Sequence, residues 1–465
     1  MEKYKICENH MFKKNGLSFF YDVGNLNVYR INDECAAAVE KLNHGADTAE
    51  INKDLIEQLV SAGILIDENS NEGQKDKLQY KSNRDVRNMV LELANDCNLN
   101  CKYCYGDGGS YGRKREMMSA ETALRAVDFL VENSGNSRML NITFFGGEPL
   151  LNFKVMKATV EYCKSIEENT NKKFTFTMTT NATILTDEIY EFIKKYNIGL
   201  TISIDGPKDV QDNYRCYVNG KGSYDVIIPN IKKLLDLKKG NIMARATICH
   251  PNLNLSDIFD GLTSMGFNSI ALSPVDAKET SKLRITPEDF EIFNQEQNKM
   301  AEFFVEAMKN NSKYPYRQFF DVIERIYMKK KVLQPCGAGR GMIAVGTDGI
   351  LYPCQRFMGM DEFSFGDIHK GITGGNRNKF LDTTVENKEG CSTCWARYLC
   401  GGGCPHTSAK ANNTIEKAAD SFCDSLKGLY ELGFYMYCKL KDWDQDIFRK
   451  RFEKSETEKM ENPAV

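Results

Sequence analysis

Histidine and tryptophan are scarce in this chain of 465 residues, at five and two copies. Five scattered histidines put mixed Cys/His zinc sites behind Cys-rich iron-sulfur sites. No run approaches the 18 or more apolar residues of a membrane span, and the N-terminus, MEKYKICENHMFKKNG, lacks the apolar core of a signal peptide. Neither sign of charge is in excess: 61 Lys plus Arg face 64 Asp plus Glu, which leaves out the basic footprint of nucleic-acid binding. No internal repeat occurs. The expectation is a soluble cytoplasmic protein with neither nucleic acid nor membrane as partner, and 42% hydrophobic residues give it a sizeable core.

Cysteine is plentiful instead, with sixteen copies. Without an export signal, thiols stay reduced and read as metal ligands or catalytic groups before disulfides. Ten fall in two groups: Cys97, Cys101 and Cys104, then Cys336, Cys354, Cys391, Cys394, Cys400, Cys404 and Cys423. The isolated six, Cys7, Cys35, Cys163, Cys216, Cys249 and Cys438, read as small buried hydrophobes.

Hydrophobic periodicity divides the chain. Leu17 to Asp22 and Leu26 to Ile31 form a hairpin signal around Gly24 and Asn25, followed by helical spacing at Cys35, Ala38, Val39 and Leu42 and at Ile51, Leu55 and Leu59, with a return strand at Ile64 to Ile66. Residues 1–67 are thus a small winged-helix pattern, and the polar stretch 68–85 a linker. Strands are expected at Asn88 to Ala94, Leu140 to Phe145, Phe174 to Thr179, Gly199 to Ile204, Asn241 to Thr247 and Asn268 to Ser273, with helices between, such as Ser119 to Asn133. Six βα repeats over 86–285 imply an α/β fold, a partial (β/α)6 TIM-like barrel whose chemistry gathers in the loops after the strands. Thr286 and Pro287 open connecting helices over 286–333. Short strands, glycines and cysteines fill 334–430, and 431–465 is a C-terminal helix and tail.

Cys97, Cys101 and Cys104 form a C-x3-C-x2-C triplet after the first of these strands. Three thiolates can hold three irons of a 4Fe-4S cube and leave the fourth iron open; a three-thiolate zinc site or chance remain alternatives to the spacing alone. NDCNLNCKYCYGDGG resembles the signature of radical S-adenosylmethionine enzymes, and Gly146, Gly147, Glu148 and Pro149, ending the second strand, match that family's Gly-Gly-Glu-Pro motif. The resemblance implies that the open iron chelates S-adenosylmethionine, that Cys97, Cys101 and Cys104 carry the catalytic cluster, and that Tyr103 packs on the adenine. It also implies cofactor contacts from Gly146, Gly147, Glu148, Asn181, Ser203 and Arg215, and a 5′-deoxyadenosyl radical as the working oxidant. Glycines let backbone approach closely, whereas Asn181 and Asp205 also suit ordinary turn capping.

The later cysteines, C-x12-G-x4-C, a gap, then C-x2-C-x5-C-x3-C-x18-C with Gly349 between the first two, resemble the SPASM extension of this family. By that resemblance Cys391, Cys394, Cys400 and Cys423 hold one auxiliary 4Fe-4S cluster. Cys336, Cys354 and Cys404 hold another, one thiolate short, making three clusters in all. Zinc-ribbon pairs are the alternative. The N-terminal pattern resembles leader-recognition domains of ribosomal-peptide maturases, with a structural cap on the barrel as the plain alternative. A strand edge there could accept a peptide as an added strand. The expected function is thioether formation of the sactipeptide or ranthipeptide type on a precursor peptide with a leader, driven by an electron donor such as flavodoxin or ferredoxin. Carbon-carbon crosslinking or epimerisation is the second reading. Sulfatase-type formylglycine maturation comes behind them because Gln355, not a carboxylate, follows Cys354, and a non-catalytic iron-sulfur electron carrier comes last.

Overall fold

A computed structural model of the chain describes residues 4–68, 84–238, 242–277, 280–373 and 375–453. Most of the expected linker and the end of the tail lie outside these residues.

The first region contains β1 (Tyr4–Ile6), β2 (Asn9–Lys14), β3 (Leu17–Asp22), β4 (Asn27–Ile31), α1 (Asp33–Asn43), α2 (Lys53–Ser61) and β5 (Leu65–Asp67). β2, β3 and β4 make an antiparallel sheet, and β1 pairs with β5. Alternation sends Phe20 into a small core with Val39, Leu55 and Leu59, while Phe19, Tyr21 and Val28 face the main body. The hairpin and both helices match the expectation. β1 and β2 went unread because polar residues interrupt their apolar alternation.

The central region runs through β6 (Asn88–Ala94), α3 (Ala120–Glu132), β7 (Met139–Gly146), α4 (Phe153–Thr170), β8 (Lys173–Thr180), α5 (Asp187–Lys195), β9 (Gly199–Ser203), α6 (Lys208–Tyr214), α7 (Tyr224–Lys238), β10 (Ile242–Ile248), α8 (Leu255–Ser264) and β11 (Ser269–Pro274). Six strands pair in parallel in the order β11-β10-β9-β8-β7-β6. Helix starts follow local chemistry: Ser119 caps α3 by accepting from the Thr122 amide, and Thr186 caps α5 by accepting from the Ile189 amide. On each strand the residues facing the helices are apolar and buried, as with Leu140, Ile142 and Phe144, or Phe174, Phe176 and Met178. The opposite face carries Asn141, Thr143, Thr175, Thr177, Thr201, Ser203 and Arg245, so the concave side is polar rather than a packed core.

α9 (Pro287–Lys309), opened by a Thr286/Asp289 capping box, and α10 (Arg317–Met328) connect to the last region. There β12 (Met342–Val345) joins the sheet in parallel beside β6, and β13 (Leu351–Tyr352) pairs with β12. The sheet therefore has eight strands, an extension that no periodicity announced. β14 (Gly366–Asp367), β15 (Gly371–Ile372), α11 (Asn376–Asp382), α12 (Arg397–Cys400), α13 (Pro405–Asn412), α14 (Asp420–Trp443) and α15 (Ile447–Phe452) complete the chain. α14 packs on α9, on α10 and on the inner face of the N-terminal sheet, where Tyr21 meets Phe434 at 4.5 Å between ring centres. His10 lies on Trp395 at 3.9 Å, and Arg397 donates to Glu8 at 2.6 Å. No helix among the described residues is long and apolar enough to cross a membrane.

Candidate active site

The loop after β6 carries Cys97, Cys101 and Cys104, held by backbone bonds from Asn100 to Cys216 (2.7 Å) and from Lys102 to Tyr214 (3.0 Å). Burial, first, and then Glu148 and the neighbouring thiols raise Cys97 to about 12, against a bond from the Leu99 amide to its sulfur that lowers it. Burial lifts Cys101 to about 11, opposed by Arg215. Such a donor set is strained as bare thiolates and suits a positive iron centre that offsets the mutual repulsion.

Gly146 and Gly147 stand where the end of β7 meets the cysteine loop. A Cβ on Gly146 would meet the Ala94 carbonyl oxygen at 2.2 Å, and one on Gly147 the Asp96 carbonyl oxygen at 2.2 Å. Their missing side chains let the end of β7 press against the cysteine loop, and the Gly147 and Glu148 amides bond the Ala94 and Asp96 carbonyls. Glu148 is fully buried; it accepts from Thr180 Oγ1 (2.8 Å), the Asn181 amide (2.7 Å) and the Leu150 amide (3.1 Å). Burial outweighs these bonds and raises its carboxyl to about 7. It fixes the end of β8, so that Asn181 Nδ2 reaches the Asn98 Oδ1 (2.9 Å) and Cys97 Sγ (3.7 Å).

Tyr103 donates to Asp205 Oδ2, and the Arg215 guanidinium lies 5.4 Å from its ring centre. Arg215 Nε stands 3.1 Å from Asp205 Oδ1, out of hydrogen-bond alignment. Asp205 also accepts from the Thr247 amide at 3.0 Å, which locks this trio to β10. Ser203 lies on the concave face, level with Arg245.

The later cysteines form two neighbourhoods. Cys354 feels the charges of Cys336 and Cys404, and Cys391 those of Cys400, Cys423 and Cys394. Burial raises Cys354 to about 12 and Cys391 to about 11. Amides of Ala338, Arg356, Gly402 and Gly403 donate to the sulfurs of Cys336, Cys354 and Cys400, the kind of bond that tunes iron-sulfur clusters. Gly401, Gly402 and Gly403 all take left-handed φ values of +73°, +94° and +70°, turning the backbone toward those sulfurs. Among the described residues no three His, Cys, Asp or Glu side chains converge as the ligands of one metal ion do. A cube, in which each thiolate takes its own iron, places its ligands farther apart.

Several residues here were not foreseen. Lys388 is buried, bonds Ser408 Oγ at 2.8 Å and lies among Cys391, Cys400, Cys404 and Cys423; burial lowers its pKa, the thiols raising it in part. Arg356, two positions after Cys354, pairs with Asp276 beyond β11 and stands 3.6 Å from Cys404 Sγ. Lys410 also bonds Asp276, at 2.7 Å. Burial alone would raise the Asp276 carboxyl, but Lys410 and Arg356 hold it below the usual carboxylate range. A charged residue just after a YPC turn was a usable signal for Arg356; nothing in sequence linked Asp276 to it.

The family described as the Radical SAM superfamily matches residues 91–261, which span β6 to α8 and the whole front site. An uncharacterised protein of Methanocaldococcus jannaschii is 34% identical over 233 residues, 50% of this chain and 76% of that one. The chain belongs to the radical SAM superfamily. Radical SAM cyclopropyl synthase TigE of Paramaledivibacter caminithermalis is 24% identical over 433 residues, covering 87% of this chain and 85% of that one. A cysteine-type anaerobic sulfatase-maturating enzyme of Clostridium novyi is 27% identical over 368 residues, 74% of this radical SAM chain and 94% of its own. The fold resembles native anSMEcpe with bound AdoMet, at a TM-score of 0.66 and 18% identity over 76% of this chain and 99% of that one. That protein is also known with AdoMet and the Kp18Cys peptide.

Proposed function

We propose that this radical SAM enzyme is a SPASM-type peptide maturase that joins a cysteine sulfur of a precursor peptide to a carbon of another residue. The observation that carries the reading is the thiol neighbourhood of Cys336, Cys354 and Cys404, which has three thiols where its neighbour has four. A pocket lined by Cys336, Arg340, Lys388 and Gly401 to Gly403 opens beside it. Bound there, a 4Fe-4S cluster would offer one iron as a Lewis acid for a substrate thiolate. Cys391, Cys394, Cys400 and Cys423 would hold a complete second cluster.

At the front, Cys97, Cys101 and Cys104 would hold the third cluster, which with S-adenosylmethionine supplies reductive cleavage to methionine and a 5′-deoxyadenosyl radical. The chain's own residues position the partners: Asn181 steadies Cys97, the Tyr103–Asp205–Arg215 trio shapes the cofactor side, and the polar concave face accepts the peptide. The N-terminal sheet and helices would hold the leader, and a flavodoxin or ferredoxin would deliver electrons.

Formylglycine maturation is supported by the sulfatase-maturating relatives, yet the chemistry of the site favours the thioether. Gln355 cannot take a proton as a base. Asp276, which reaches the Cys354 turn through Arg356, is held ionised by two cations and makes a weak base. Carbon-carbon crosslinking has the coverage of the cyclopropyl synthase behind it. Mass spectrometry decides: thioether formation removes two hydrogens and one alkylatable thiol per turnover. A product two hydrogens lighter that keeps every thiol overturns the reading in favour of a carbon-carbon bond.

A further inference from the structure

Arg245 stands in the middle of β10, level with Ser203 of β9 and Ala271 of β11. Its neighbours on the strand, Ala244 and Ala246, are fully buried beneath the helices, so the alternation turns Arg245 to the concave side. The side chain remains accessible there because the concave face is open. Two other guanidinium groups, Arg356 and Arg215, bear on it with like charge, and Tyr105 and Tyr103 from the cysteine loop act on it in the opposite sense. Each of those two arginines has its own carboxylate, Asp205 for Arg215 and Asp276 for Arg356. Glu92, which also faces the concave side, is taken by Arg113 at 2.7 Å and by the Thr347 amide. Among the described residues the Arg245 guanidinium has no such partner. Desolvation by the surrounding chain and the two like charges lower its pKa against the two tyrosines, although the side chain itself reaches solvent.

A planar fork of donors held without a counter-ion between the S-adenosylmethionine side and the Cys354/Cys404 side is built for a carboxylate. We infer that Arg245 binds a carboxylate of the peptide substrate, an Asp or Glu side chain presented inside the barrel. It is thereby a specificity-determining residue of the peptide-modifying reaction proposed above, on which the inference rests. The other source of a carboxylate is the methionyl part of S-adenosylmethionine. Arg215 already lies against the cysteine loop on that side, close to Cys101 and Tyr103, which leaves Arg245 for the peptide.

Full-chain holoenzyme loaded with S-adenosylmethionine is titrated with fluorescein-labelled synthetic peptides. Each contains one cysteine and, at a fixed distance from it, Asp, Asn, Glu or Gln. The wild type should bind the acidic member of each pair at least about fivefold more tightly than the amide. Arg245→Gln should erase that preference, and Arg245→Lys should retain part of it. S-adenosylmethionine affinity and peptide-independent 5′-deoxyadenosine formation should stay within about twofold in both variants. Equal binding of acid and amide peptides by the wild type, or weak binding of all of them, overturns the inference. A tenfold loss of S-adenosylmethionine affinity in Arg245→Gln also overturns it and gives the carboxylate to the cofactor. The readout is binding, so it stands apart from the bond formed: a product retaining its thiols would sink the thioether reading and leave the acid preference intact.

Discussion

The two ends of the active centre are built by different means. The front cysteine loop is moored to the fold: Asn100 and Lys102 bond the chain at the end of α6, and β7 presses two glycines against the loop. The back cysteines sit on a four-residue helix, on turns and on the start of α14, among strands only two residues long. The front geometry is thus dictated by hydrogen bonds and core packing. On the proposed reading the back geometry would lean on its clusters, as small metal-bound modules do.

The largest test of this contrast is substitution of the thiols. Cys97, Cys101 and Cys104 replaced together by Ala should lower S-adenosylmethionine cleavage by more than about a thousandfold, with a melting temperature within about 2 °C of the wild type, because the sheet sustains the loop. Cys391 and Cys394 replaced by Ala should lower the melting temperature by about 5 °C or more. Hydrogen exchange should then quicken in residues 385–423. Equal thermal effects from the two sets would break the comparison.

Next comes the contact between β7 and the cysteine loop. Gly146→Ala places a Cβ 2.2 Å from a carbonyl oxygen at φ +134°, and Gly45→Ala, at φ +89°, meets nothing within 4 Å. The first should cost at least about 3 kcal/mol in urea unfolding and the second about 1.

The pH dependence is smaller. Glu148 binds its proton more tightly when folded, near 7 rather than the ordinary 4.5, so its contribution to stability is full below about 4.5 and is lost as pH rises through about 7. The difference amounts to about 3 kcal/mol at most. Glu92, also raised to about 7 by burial against the pull of Arg113, titrates in the same window. Glu148→Gln should therefore remove part of the fall in unfolding free energy between pH 5 and pH 8, and an unchanged slope would refute the assignment. Smallest is the contact between the N-terminal region and the back cysteines. Glu8→Ala strands the buried Arg397 guanidinium, whose partner is half exposed, and should cost about 1 kcal/mol.

Much of this was legible from sequence because periodicity marks parallel strands well: β6 spans the expected residues, β9 differs by one residue at one end, and the other four barrel strands differ by one residue at each end. The cysteine groups were read from spacing; in the structure Cys354 has Cys336 and Cys404 near it, and Cys391 has Cys400, Cys423 and Cys394. Pairings between remote segments left no local trace. Arg356 with Asp276 joins residues from two regions, and Asp205 binds Tyr103 across about a hundred positions. The packing of the N-terminal sheet on α14 was equally hidden. Arg30 pairs with Asp442, and Asn27 accepts from Lys329 at 2.6 Å, so these two side chains of β4 already have partners on the main body. Deleting the N-terminal region would uncover Phe434, which packs on Tyr21, and this makes point substitutions the cleaner probe of leader binding.

β12 lies beside β6, the first strand of the barrel, although some 250 positions separate them, with Met342 aligned to Asn88 and Val345 to Leu91. During synthesis the sheet would carry an open edge at β6 until the ribosome has released the residues of β12, well after the other barrel strands have emerged. At about 5–20 residues per second that wait lasts roughly ten seconds to the best part of a minute. A long-range pairing of this kind is slow to form, and the bare edge is a template for unwanted strand addition. Completion of the sheet by β12 also brings the Cys336 and Cys354 turns to the barrel, so loading of the cluster proposed there would be a late event in biogenesis.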